Sequence, residues 1–179
     1  MKVILKRNKL YFDEYFYIDL NRDTIIEYDL KNRDEISEEE YYSLIKKRAY
    51  SMAYYLLAKR DISTKKLKDK LIEKYHEKDI IENLIVDFTN KGYLDDYEFA
   101  RIYIKNHNYS KKKMEYMLFL QGIEKDIIQD LLSNYDEKDR EEIKKLWIKL
   151  GNRDEQKKIM SLMRKGYNYA MIKEVIKEI

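Results

Sequence analysis

Three times along this chain a helix-capping residue is followed by the same apolar spacing. Ser63, Ser110 and Asp154 are each followed after eight residues by Leu71, Leu118 and Leu162. Nine residues further stand Ile80, Ile127 and Met171, and four beyond those Leu84, Leu131 and Val175. The offset between units is 47 and then 44 residues. Upstream, Leu56, Tyr103 and Trp147 keep the same register, which marks them as core positions. A fixed period of this length signals a repeat array, in which each unit is too small to bury its apolar face alone. The spacing predicts three short helices per unit. The expected fold is mainly α: an elongated, curved array of three tandem three-helix repeats.

Composition agrees. There is no proline and there are only four glycines, so helices joined by short loops are favoured over a turn-rich β fold. The boundaries that follow are 1–36 for an N-terminal region, 37–94 for a leading helix and the first repeat, 95–138 for the second and 139–179 for the third. In the N-terminal region, Val3 to Leu5 and Lys9 to Leu20 are rich in aromatic and β-branched residues. Asn21-Arg-Asp23 reads as a turn and Thr24 to Tyr28 as a resumed strand, giving a small hairpin or three-stranded meander. Ser37-Glu-Glu-Glu40 is a capping box, and from there to Lys59 nothing stops one long helix or two with a bend near Lys47.

The joint between the first two repeats is the most sharply written stretch. Gly92 suits the left-handed residue past a helix end. Asp95 is an N-cap, with Glu98 completing a capping box and Leu94 and Phe99 placed for a hydrophobic staple. Asp95, Asp96 and Glu98 put negative charge at the positive end of the helix dipole. Asp95 and Asp96 resemble a metal pair, but capping explains both. Tyr93 completes the motif. Asp139, Glu142 and Ile143 echo Asp95, Glu98 and Phe99 at the offset of 44.

Charge narrows the partners. The net charge is +3, distributed unevenly. Residues 1–47 carry nine bases against eleven acids, and the remainder 28 against 23. This mild basic bias permits an anionic partner without demanding one. Clustered lysines open the second helix of each repeat: Lys65 and Lys66, then Lys111, Lys112 and Lys113, then Lys157 and Lys158. Cations are mildly unfavourable at that end of a helix, so their recurrence points to an external anion such as DNA phosphate or acidic groups on a protein. The plainer alternative is a solvated charged face, which needs no ligand. Tyr75, Tyr109 and Tyr116 lie among these lysines, where aromatics can stack bases. With 18 tyrosines in the chain, chance adjacency accounts for that too.

Other classes are disfavoured. There is no cysteine, so no disulfide, and no apolar run long enough to span a membrane. The N-terminal apolar run is broken too early for a signal peptide, and the cytoplasm is the expected compartment. His76 and His107 are the only histidines and lack metal-ligand spacing. No phosphate loop or serine elbow is present. No enzyme activity, cofactor or metal is expected.

The ordered series Ala53-Tyr-Tyr-Leu-Leu-Ala-Lys-Arg60, Ser63, Lys66-Leu67, Lys70-Leu71, Gly92-Tyr-Leu-Asp-Asp96, Phe99-Ala100 and Gln121-Gly-Ile123 resembles the RecX family of bacterial regulatory proteins. The resemblance covers roughly residues 38–179. It implies tandem three-helix repeats and a regulator of the RecA recombinase in DNA repair, recombination and the SOS response, usually an inhibitor. Such proteins bind in the groove of the RecA filament on DNA, and many bind DNA weakly themselves. A monomer is expected. The chain departs from the family at Ser110-Lys-Lys-Lys113, where a Gly-Pro or similar pair is common, and the third repeat diverges most. Two further readings stay open from the residues alone. One is a tandem helix-turn-helix-like protein that binds nucleic acid directly. The other is a helical-repeat adaptor for some other protein.

Overall fold

A computed structural model describes all 179 residues. The chain is mainly helical with a small N-terminal sheet, and it divides into two compact units, Met1–Leu94 and Asp95–Ile179. No helix is long and apolar enough to cross a membrane.

The first unit opens with three short antiparallel strands, β1 (Ile4–Lys6), β2 (Lys9–Tyr11) and β3 (Tyr17–Asp19), in that order. Leu5, Leu10 and Ile18 pair across the sheet and face the core, where Leu10 and Ile18 are fully buried. The expected meander is therefore present, but its last strand ends at Asp19. Thr24 to Tyr28 is not a strand. Arg22–Glu27 forms helix α1, because the Asn21 side chain accepts from the Thr24 backbone N–H at 2.9 Å. The residues read as a turn are an N-cap, and the apolar pair Ile25 and Ile26 rides on a helix.

Helices α2 (Glu38–Lys59), α3 (Thr64–Tyr75) and α4 (Lys78–Asn90) complete this unit. The capping box at α2 is complete: the Glu40 N–H donates to Ser37 Oγ at 3.1 Å and the Ser37 N–H to Glu40 Oε2 at 2.8 Å. The helix runs unbroken through Lys47. One contiguous core joins sheet and helices, with Leu44, Ile45, Leu67, Leu71, Tyr75, Leu84 and Phe88 fully buried. Tyr75 keeps its hydroxyl satisfied by donating to the Arg48 carbonyl at 3.2 Å, as a buried phenol requires.

The second unit holds α5 (Asp96–Asn106), α6 (Lys111–Gln121), α7 (Lys125–Leu131), α8 (Tyr135–Lys149), α9 (Glu155–Arg164) and α10 (Tyr169–Lys177). Its apolar residues form two clusters. Ala100, Met114, Leu118, Ile123, Ile128, Leu132 and Tyr135 make one; Ile143, Ile159, Leu162, Tyr167, Ile172 and Val175 make the other. Tyr103 packs against the first and Trp147 against the second.

Recurrent helix ends explain the period. At the end of α4 the Tyr93 N–H reaches the Phe88 carbonyl at 2.9 Å and the Gly92 N–H reaches Thr89 at 3.0 Å. Gly92 is left-handed, and the Phe88 and Tyr93 rings pack with centroids 5.4 Å apart. This is a Schellman end with its hydrophobic contact. The same pair of bonds closes α6 at Gly122 and α9 at Gly166. At the end of α3 the left-handed residue is His76, one place beyond the position that register assigns.

Candidate functional site

The lysine-bearing helix starts can be built up one at a time. Ser63 caps α3, its Oγ accepting from the Lys66 N–H at 3.4 Å, and Asp154 caps α9, accepting from the Lys157 N–H at 3.1 Å. Helix α6 is different. Ser110 precedes it but makes no capping bond to it. Its hydroxyl donates instead to the Lys165 carbonyl at the end of α9, at 3.0 Å.

The capping role passes to another helix. Asp139 lies inside α8, which begins at Tyr135, and its Oδ2 accepts from the Lys111 backbone N–H at 2.9 Å. Asp139 is therefore not the N-cap of the third repeat, as the echo of Asp95 suggested. It caps the second helix of the second repeat. From the same face of α8, Asp136 pairs with Lys111 Nζ at 3.1 Å. The first turn of α6 contains three lysines and no acid, so these carboxylates supply the negative charge that the helix dipole favours there. Burial raises the Asp139 carboxyl above the ordinary aspartate range, against the opposing pull of the Lys111 N–H. Burial also raises the phenol of Tyr167 beside it, with the Asp139 charge adding to the shift. Gly166 completes the joint. It is left-handed, and a Cβ there would sit 2.5 Å from Ser110 Oγ.

Four of the seven lysines are engaged within the chain. Lys65 pairs with Asp69 at 2.8 Å and Lys111 with Asp136. Lys113 lies 4.2 Å from the Tyr109 ring centre and Lys158 4.5 Å from that of Trp147. Lys66, Lys112 and Lys157 stay outside any ion pair or ring contact. The internal partners account for part of the charge that pointed to an external anion. Of the neighbouring tyrosines, Tyr75 is core, Tyr109 takes Lys113, and Tyr116 is exposed.

The motif at the joint is mostly structural. Asp95 Oδ1 accepts from the Glu98 N–H at 2.9 Å, as a cap should. Glu98 does not close the box: its carboxylate takes both Nε and a terminal nitrogen of Arg101, each at 2.8 Å. An ion pair three residues along the helix has replaced the bond back to the cap. Leu94 is buried in the first unit's core, and Phe99 packs against the first cluster of the second unit. Asp96 lies in the first turn of α5. No group of three or more His, Cys, Asp or Glu is placed to hold a metal ion.

The surface of the second unit carries a feature that charge patterning missed. A groove of about 640 Å³ runs between the start of α6 and the α9–α10 turn. It is lined by Lys111, Lys112 and Glu115 of α6, by Asp136 and Asp139 of α8, and by Met163, Tyr169 and Met171. A second hollow of about 430 Å³ shares Met163 and Tyr169 and continues along Met160. Beside the groove, α6 exposes Tyr116, Phe119 and Leu120. The signal was in the sequence: Met114-Glu-Tyr-Met-Leu-Phe-Leu120 is apolar well beyond the stripe that Met114 and Leu118 bury.

No protein-family model matches the chain. Over 106 residues, 57% of the chain, it is 29% identical to the regulatory protein RecX of Bacillus velezensis and 26% identical to that of Bacillus subtilis. The matched stretch covers 40% of the length of each relative. The crystal structure of RecX from Lactobacillus salivarius superposes with a TM-score of 0.63 at 24% identity, covering 76% of this chain and 97% of that one. A crystal structure of a regulatory protein RecX covers 98% of both chains, with a TM-score of 0.63 at 17% identity. These two likenesses are of fold.

Proposed function

We propose that this chain, which belongs with the RecX proteins in sequence and fold, is a regulator that binds the RecA filament on DNA and lowers its recombinase activity. The observation that carries the reading is the sequence match to proteins named regulatory protein RecX, supported by the shared fold.

The residues supply a physical route. Two compact units on one chain offer linked points of attachment, and linked weak contacts strengthen one another through effective concentration. One chain holding neighbouring protomers slows their exchange and blocks access to the groove between them. The helix-start lysines, Lys66, Lys112 and Lys157 foremost, meet the anionic groups of the filament, carboxylate or phosphate. Lys65, Lys111, Lys113 and Lys158 contribute to the same field while held by their internal partners. None of these steps needs a cofactor or bond chemistry by this chain.

The test is DNA-dependent ATP hydrolysis and strand exchange by the cognate RecA, with and without the protein. Inhibition at stoichiometric amounts is expected, together with co-sedimentation with the filament. No change in either rate, with no co-sedimentation, refutes the reading. Converting Lys66, Lys112 and Lys157 to glutamine should weaken filament binding most at low salt, since exposed charges act through a screened field.

A further inference from the structure

We infer that the third repeat, α8 to α10, is an arm hinged on the second, α5 to α7, and held at one angle by a polar clasp at Tyr109-Ser-Lys111. The hinge lies wholly inside the second unit and does not depend on what the chain binds.

The apolar interior of this unit is in two pieces. No side chain of α9 or α10 enters the first cluster, and none of α5, α6 or α7 enters the second. Helix α8 belongs to both. Tyr135 at its start is buried in the first cluster, and Ile143, about two turns further on, is buried in the second. Elements that share a core move together, whereas elements with few buried apolar contacts between them part at lower cost. Tyr135 is thus the pivot, α8 the shaft, and the second cluster the body of the arm.

What fixes the angle is polar, and it converges on three consecutive residues. The Tyr135 hydroxyl donates to the Tyr109 carbonyl at 3.1 Å, which ties the pivot. Beyond the pivot, the Ser110 hydroxyl donates to the Lys165 carbonyl at 3.0 Å, and the Lys111 N–H to Asp139 at 2.9 Å, with Asp136 on Lys111 Nζ. Gly166 leaves no room for a Cβ beside Ser110, whereas the matching Gly92 meets open space, so the close approach is particular to this joint. The closed form also carries an opposing force. Asp139 is only 4% exposed, and taking its carboxylate out of water has a cost that opening returns. Bonds gained on closing are set against hydration regained on opening, which keeps a second angle within reach. The groove of about 640 Å³ runs beside the clasp, with Lys111, Asp139 and Gly166 in its lining, and marks where the arm parts from α6. The angle sets the spacing between the surfaces of the two repeats, and so what linked contacts on them can reach together.

The experiment uses the full chain, whose lack of cysteine lets spin labels be placed in pairs. Gln129→Cys on α7 and Gln156→Cys on α9, both exposed, read the distance across the joint by electron–electron double resonance. Two control pairs read distances within each repeat: Lys105→Cys with Gln129→Cys, and Gln156→Cys with Lys177→Cys. With the clasp intact the cross-joint distribution should be narrow. In Ser110→Ala/Asp139→Ala it should broaden and gain a population longer by about 5 Å, the scale of discrete shifts between packed elements. Both control pairs should stay narrow. Asp139→Asn keeps an acceptor for the Lys111 N–H and should stay closed. If the double variant does not fold, Ser110→Ala and Asp139→Ala carry the test singly, each showing the longer population to a smaller extent. An unchanged cross-joint distribution in the clasp variants overturns the inference, because the packing of α8 alone then fixes the angle. Broadening of the control pairs to the same degree overturns it too, since the two repeats then melt as one body. Opening in Asp139→Asn as full as in Asp139→Ala overturns the hydrogen-bonded clasp in favour of a charge effect. None of these readouts involves RecA, so their failure leaves the regulatory reading intact, and failure to sediment with filaments leaves the hinge intact.

Discussion

The cap that α8 supplies to α6 can be tested at a single atom. In Asp139→Ala the Lys111 N–H loses its acceptor at 2.9 Å. An N-cap is worth about 1 kcal/mol, and a backbone donor left unpaired near the core costs about 1–3 kcal/mol. Loss of negative charge at the helix start adds about 0.5 kcal/mol. One effect runs the other way. Burial disfavours the ionised carboxylate, as its raised pKa records, so removing it relieves a penalty at neutral pH. The net expectation for Asp139→Ala is a loss of about 1–2 kcal/mol from the second unit. Asp139→Asn keeps an oxygen in place and removes the buried charge, so it should fall within about 0.5 kcal/mol of wild type.

The pH dependence has a definite sign. A raised native pKa means that the folded chain holds this proton more tightly than the unfolded chain does. The contribution of Asp139 is fully present below the unfolded value, about 4, and is lost as pH climbs through the raised native value. Asp139→Asn has no such loss. Its stability relative to wild type should therefore rise with pH from about 4 and level off above the native value. The assays are denaturant unfolding across that range and amide exchange at Lys111, which should quicken in Asp139→Ala and stay slow in Asp139→Asn. Equal losses in the two variants at neutral pH, with Lys111 protected in both, refute the capping account.

Two further perturbations separate backbone conformation from packing. Gly92→Ala meets open space and pays only the left-handed penalty, about 1 kcal/mol, whereas Gly166→Ala also drives a Cβ to 2.5 Å from Ser110 Oγ and should cost about 3 kcal/mol by thermal unfolding. Adding Ser110→Ala should recover about 1 kcal/mol of the Gly166→Ala loss, and strict additivity would show that the contact is not the cause. At the joint, Leu94→Ala should cost about 3 kcal/mol as a buried truncation and Asp95→Ala about 1 kcal/mol as a lost cap. Comparable losses from the two would mean that Leu94 is not held in the first core.

What could be read from the sequence was local. Ser37, Ser63, Asp95 and Asp154 cap helices through bonds that span three residues, and Gly92, Gly122 and Gly166 end them through bonds of similar reach. Such signals are written wherever the chain needs them, so the repeat was visible. Thr24 to Tyr28 was misread because Asn21 serves turns and N-caps equally, and the apolar pair that follows suits a strand or one turn of helix. The role of Asp139 was hidden for a different reason. Its partner lies 28 residues away, and no local pattern links a carboxylate in mid-helix to the first amide of another helix.

The same distinction separates the two halves of the candidate site. The lysines were found because charge at a helix start is a local anomaly, yet the structure meets part of that anomaly with Asp136 and Asp139. The apolar stripe escaped because repeat spacing assigns each helix one buried face and says nothing of the other. Helix α6 buries Met114 and Leu118 as the period demands, and then turns Tyr116, Phe119 and Leu120 outward. The internal capping of α6 and its outward stripe belong together. A helix held at its start by Asp139, and at its end by the Gly122 turn, presents that stripe on a fixed support. Any partner of that stripe would bind without the cost of ordering the helix first, which is where preorganised surfaces gain their affinity.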